Sequence, residues 1–211
     1  MFTLTLTQRD AEADLVPRLL QELAHLPTLH PFRRSFGSEV VGTVEGPDAA
    51  VSAALIAVRC GAGARAPRRF AVGIGVGRVS PEADGRLGGP GPSRSRLAAE
   101  ECAKAPVPVG VQAGPAGVGF EGMPTAPESA VSAQGVLRLL GELVAARTEA
   151  EWAVLDLLVP GVRGQQRAVA EALGVSVQAV SQAITRSKWA QEWQGRPAAA
   201  LLLRLAASAV E

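Results

Sequence analysis

The chain predicts an α+β fold: a ferredoxin-like antiparallel sheet with helices, followed by an all-α domain that carries a helix-turn-helix. Three observations lead there. Strand-like and helix-like segments follow one another in the order β-α-β-β-α-β with an α-β added, a stretch rich in glycine, proline and alanine interrupts them, and beyond it only helical spacing remains. The expected units are 1–113 for the sheet domain, 114–128 for a linker and 129–211 for the helical domain, with the helix-turn-helix at 165–189.

Phe2 to Thr7 alternates with period two, the pattern of a strand with one buried face. Between Ala11 and Leu26 the leucines at 15, 19, 20 and 23 take helical spacing, and Pro27 helps to end the run. Arg33 to Phe36, a turn at Gly37-Ser38, and Glu39 to Val44 form a hairpin. A helix follows from Pro47 or Asp48 to Arg59, with a carboxylate suited to its first turn. Arg69 to Val79 reads as a buried strand. Its run Gly73-Ile-Gly-Val-Gly77 lacks the third glycine of a dinucleotide-binding loop and continues into Arg78-Val79 rather than opening a helix. Those glycines instead mark a strand on which a helix or another backbone packs closely. A Gly/Pro-rich loop over 80–92, a helix from Ser93 to Lys104 and a strand from Val107 to Gln112 complete the domain, with its helices expected on one face of the sheet.

From Ser129, Leu137, Leu140, Leu143 and Val144 give one helix up to Arg147. Thr148 with Glu151 three residues on forms a capping box for the next helix, which carries Trp152, Leu155 and Leu158. A final helix is expected from Pro197 to Ala209. Between these lies the segment with the most specific pattern. Ala170 permits close approach, Gly174 can take the left-handed conformation that ends a helix, and Ser176 is a good N-cap for the next one. Val169, Leu173, Val175, Val180 and Ile184 supply the shared apolar face. A helix starting after Ser176 is then placed to enter a DNA major groove. Val177, Gln178, Ser181, Gln182 and Thr185 fall on its outer side. Gln178 is the best base reader because glutamine pairs bidentately with adenine, Gln182 comes one turn later, and Val177 suits a thymine methyl. Gln166, Arg167, Ser176, Arg186 and Lys188 are placed for phosphates, which fix register without reading sequence. The three tryptophans are expected as core or interface anchors.

Composition bounds this reading. With 47% hydrophobic and 19% charged residues the chain is globular. Net charge is +1, with 13 basic and 12 acidic residues over 1–126 and 8 of each over 127–211, so DNA binding has to rest on local basic clustering. Cys60 and Cys102 read as small buried hydrophobes in a reducing compartment. His25 and His30 lack a third ligand at metal spacing, and no apolar run reaches the roughly 18–20 residues of a membrane span. A soluble, cytoplasmic protein without metal or cofactor is expected. Arg86, Ser93, Arg94 and Arg96 lie around the start of the helix near Ser93 and form a candidate anion-binding group for a phosphate-bearing small ligand.

The opening strand ending Leu6-Thr-Gln-Arg-Asp10, the hairpin Phe36-Gly-Ser-Glu-Val-Val-Gly42, the strand Val72–Gly77 and the Gly-Pro loop before a helix together resemble the SatD-like proteins. That family pairs such a domain with a C-terminal helix-turn-helix, and actinobacterial members are often described as MarR-like regulators. Its N-terminal module is similar to the palm of nucleotidyl cyclases. The resemblance implies metal-binding carboxylates at the first strand and the hairpin, here Asp10 and Glu39. Serine stands at 38 where the family usually carries aspartate, so the metal site reads as degenerate and no catalytic residue is assigned. The function expected is a dimeric, sequence-specific duplex-DNA-binding transcriptional regulator whose N-terminal domain dimerises or senses a ligand. The rival is a nucleotide-binding or cyclase-like enzyme with an accessory DNA-binding tail.

Overall fold

The structure is a computed structural model that describes residues 1–9, 13–60, 70–82, 86–115 and 124–208. Its elements run β1 (Phe2–Gln8), α1 (Val16–Leu23), β2 (His30–Arg34), β3 (Glu39–Val44), α2 (Pro47–Arg59), β4 (Phe70–Val76), β5 (Ser80–Pro81), β6 (Leu87–Gly88), α3 (Pro90–Cys102) and β7 (Val109–Gln112). Helices α4 (Ala126–Ala145), α5 (Glu149–Leu155), α6 (Gln166–Leu173), α7 (Val177–Arg186) and α8 (Trp189–Ser208) follow. Five strands form one sheet in the order β2-β3-β1-β4-β7, and β5 and β6 pair as a short separate ribbon. The fold is therefore α+β.

Two features of the sheet correct the expectation. It is mixed, because β7 runs parallel to β4 while the other pairs are antiparallel. Its helices cover both faces. Phe2, Leu4 and Leu6 of β1 enter the large apolar cluster with Val72, Ile74 and the alanines of α2. Alternation sends Thr3 and Thr5 to the other face, opposite Gly75 and Gly73 in register. There α3 lies directly on the strands, and Thr5 Oγ1 shares a 2.7 Å hydrogen bond with Ser95 Oγ. A Cβ at Gly73 would collide with Ser95 O and Ala99 N, and one at Gly75 with Gly91 O and Ser95 N. The close approach read from the glycine run is thus made by α3. The helix crosses that face because two parallel strands need a crossover connection.

The apolar clusters do not follow the 1–113 and 129–211 partition. Ala130, Ala133, Leu137, Leu140 and Val144 of α4 and Ala199, Ala200, Leu203 and Ala206 of α8 belong to the same core as the sheet. A second, small cluster joins Val154, Val169, Ala170 and Val180, and it holds α5, α6 and α7 together. Helix α8 is continuous from Trp189, with Pro197 inside it and not at its start. Beyond the proline, Leu203 and its neighbours pack in the core with α2 and α4. Most of the expected linker, 116–123, lies outside the described residues, as does Asp10.

Candidate nucleic-acid interface

Helix α5 begins at the expected capping box: Thr148 N–H donates to Glu151 at 2.9 Å, and Glu151 N–H donates to Thr148 Oγ1 at 3.2 Å. The loop that follows is pinned by Gln165. Its side-chain oxygen accepts from Val159 N–H at 2.8 Å, and its amide donates to the carbonyls of Val159 and Val162. Gly174 ends α6 at φ +65°. Gly174 N–H then reaches Glu171 O and Val175 N–H reaches Ala170 O at 3.0 Å, which satisfies carbonyls the helix end would otherwise orphan. Two residues later Ser176 Oγ accepts from Ala179 N–H at 3.1 Å and starts α7. The two helices are thus joined by three residues, with Gly174 left-handed and Ser176 extended as a cap requires.

The single fully buried side chain of α7 is Val180, with Ala183 and Ile184 packed beside it. This leaves Val177, Gln178, Gln182, Thr185 and Arg186 exposed. Ser181 is half-buried and presents less to solvent than the periodicity implies, while the Thr185 hydroxyl donates to the Ser181 carbonyl at 3.0 Å. Gln182 and Arg186 border a groove of about 480 Å³ against α5. Gln166 and Arg167 are exposed on the first turn of α6, and Ser176 is exposed at the N-cap of α7. Lys188 is exposed in the turn into α8 with φ +54°, the one non-glycine residue in the left-handed region among those described. Arg167, Arg186 and Lys188 have no ion-pair partner among the described residues.

The candidate anion group disperses. Arg86 and Arg96 do meet, in a cleft of about 420 Å³ lined also by His30, Arg33 and Arg34 on the outer part of β2 and β3. Arg94 instead turns under the sheet, donating to Val76 O at 2.7 Å. Ser93 Oγ donates to Gly89 O within its own helix. Glu39 is engaged by Arg96 at 3.4 Å, and Ser38 Oγ donates to Gln8 O at 3.2 Å, tying the hairpin to the end of β1. Among the described residues no three His, Cys, Asp or Glu side chains cluster as metal ligands.

Periodicity did not reveal a buried ionic group behind the α5–α7 unit. Arg147, whose side chain is 1% exposed, pairs with Glu192 Oε2 at 2.7 Å and donates from Nε to Ser187 O at 3.0 Å. Arg196 Nε donates to Glu192 Oε1 at 2.8 Å. Arg59 stacks 3.9 Å from the Trp152 ring centre and pairs with Asp156 at 2.6 Å. The signal available was the i, i+4 spacing of Trp189 with Trp193 and of Glu192 with Arg196, which puts each pair on one helix face. Cys60 and Cys102 are buried free thiols, as expected.

No family model matches this chain, and neither a curated protein nor a solved structure does. The helices of the described residues include none long and apolar enough to cross a membrane.

Proposed function

We propose that the α5–α7 unit is a helix-turn-helix domain that reads duplex DNA with α7, and that the protein is a transcriptional regulator of the SatD-like type on a ferredoxin-like domain. One observation carries the reading. The helix following a left-handed glycine turn and a serine cap exposes Gln178, Gln182, Thr185 and Arg186 while burying Val180. Gln178 and Gln182 read base edges, and Arg167, Arg186 and Lys188 contact phosphates. The charge-balanced chain gives only a local basic stripe, so affinity is modest per subunit and a two-fold dimer supplies the second half-site. The outer face of α4, where Val131 and Leu139 are exposed, is the proposed dimer surface.

Selection of bound sequences from a random duplex library tests this directly. The wild type should enrich a palindromic motif with half-sites roughly 34 Å apart. Gln178→Ala should relax one position in each half-site and leave the rest. Absence of enrichment at low salt rejects the proposal.

A second reading rests on the arginine-lined cleft beside β2 and β3. Arg33, Arg34, Arg86 and Arg96 around one opening suit a phosphate-bearing ligand. Incubation with each nucleoside triphosphate and Mg²⁺ or Mn²⁺ distinguishes simple binding from turnover, and product formation lost in Glu39→Ala would favour the enzyme.

A further inference from the structure

All three tryptophans of the chain line one cavity of about 260 Å³. It lies where α2, α4, α5 and α8 meet, between the main core and the α5–α7 unit. Its apolar wall includes Leu55, Ile56, Val144 and Leu155. Arg59, Arg147 and Arg196 face it together with Asp156 and Glu192, so the lining holds one cation in excess of its anions.

Two buried donors among these lining residues lack an acceptor: Arg147 Nη2 and Trp152 Nε1. Neither can relieve itself by turning. Arg147 is held at Nη1 by Glu192 and at Nε by the Ser187 carbonyl. The Trp152 ring is stacked by two guanidinium groups, Arg59 at 3.9 Å and Arg147 at 4.8 Å from its centre. Buried donors left without an acceptor are rare and costly. Two open donors, a surplus cation and an apolar wall together match a ligand that carries an anionic acceptor on an apolar body.

We infer that this cavity binds a small organic carboxylate with an apolar ring or chain, its carboxylate set beside Arg147 and Trp152 and its body lying against Trp189 and Trp193. A cavity of about 260 Å³ suits a benzoate-sized ligand. The same guanidinium grips Ser187, the C-cap of α7, so occupancy bears on the seating of that helix. The binding site itself does not depend on the DNA-binding reading.

Because the chain has no tyrosine, its intrinsic emission comes from this cavity alone. Benzoate titrated into the full-length protein should give a saturable change in tryptophan fluorescence. Benzyl alcohol, which lacks the charge, and acetate, which lacks the ring, should each bind at least about ten-fold more weakly, the first through a lost charged hydrogen-bonded contact and the second through lost apolar burial. Trp152→Phe keeps an aromatic ring beside the two guanidinium groups and removes the indole N–H with the five-membered ring that carries it. It should still unfold cooperatively, at a somewhat lower Tm, while weakening benzoate about ten-fold or more. Arg33→Ser in the distant cleft should leave benzoate affinity unchanged. No saturable signal up to about 10 mM benzoate overturns the inference. So does calorimetric binding that is indifferent to Trp152→Phe, since the ligand would then lie elsewhere or the donors would hold only water.

Discussion

Ser176 Oγ accepts the Ala179 N–H and keeps its own proton free to donate, so capping and phosphate contact can be separated by substitution. Ser176→Ala should lower stability by about 1 kcal/mol in chemical denaturation. Ser176→Asp should preserve the cap and the fold, yet abolish binding to duplex DNA through repulsion of the backbone. Retained affinity in the aspartate variant would place the phosphates elsewhere. The two thiols make a separate prediction. Burial pushes Cys60 and Cys102 up to about 11. Native protein should therefore take up no thiol reagent at neutral pH until it is unfolded. The sign of the pH effect follows from linkage. A thiol whose folded value lies above its unfolded value of about 8.5 contributes stability that is complete below that pH. That contribution is lost as pH rises through about 11. Cys60→Ala and Cys102→Ala should flatten the alkaline limb of a stability-versus-pH curve.

Among the elements, α3 and β4 depend on each other most closely. Gly73 and Gly75 leave no room for a methyl group, because α3 backbone occupies the place each Cβ would take. Gly75→Ala should destabilise the protein by roughly 1–3 kcal/mol or more, measured by urea unfolding, since the obstacle is backbone that cannot rotate away. An equal stability for the alanine variant would show that α3 can lift. These two elements also show what was legible in sequence and what was not. The glycine alternation announced a close neighbour, but nothing local in Ser93–Lys104 told which face it would cover. That depends on β7 lying parallel to β4, a non-local pairing. The cap of α5 at Thr148 was readable, because a capping box is a local chemical pattern. The matching box at Thr125 and Glu128, which starts α4 three residues earlier than its leucines suggested, follows the same rule. Hydrogen bonds from Thr125 hold the Glu128 carboxyl below its ordinary range. The site behaved likewise: Gly174, Ser176 and Val180 took their expected roles. The Arg147–Glu192–Trp152 group draws on the α4–α5 connection, α5 and α8, and left only a faint trace in the spacing.

The described residues form one large core and one small one, and they should not melt alike. The cluster that unites the sheet with α1, α2, α4 and α8 is extensive, whereas α5–α7 rest on Val154, Val169, Ala170, Val180 and a few partners. Native-state hydrogen exchange should show the amides of α6 and α7 opening at lower free energy than those of β1 and β4. Uniform protection across both would mean that the small unit is locked to the core more firmly than its own apolar contacts allow. If α7 reads DNA, a saturating operator duplex should raise the protection of α6 and α7 and leave β1 unchanged.

Helix α8 gives the chain a timetable. The alanines and leucine at 199–206 that finish the core against α2 come more than a hundred residues after the helix they cover. A growing polypeptide can pair β1 with β3 early, but it has to hold the apolar side of α2 open until α8 has been made. Such distant partners make folding slow, and they leave an interval in which that uncovered surface can recruit a chaperone or another unfinished copy.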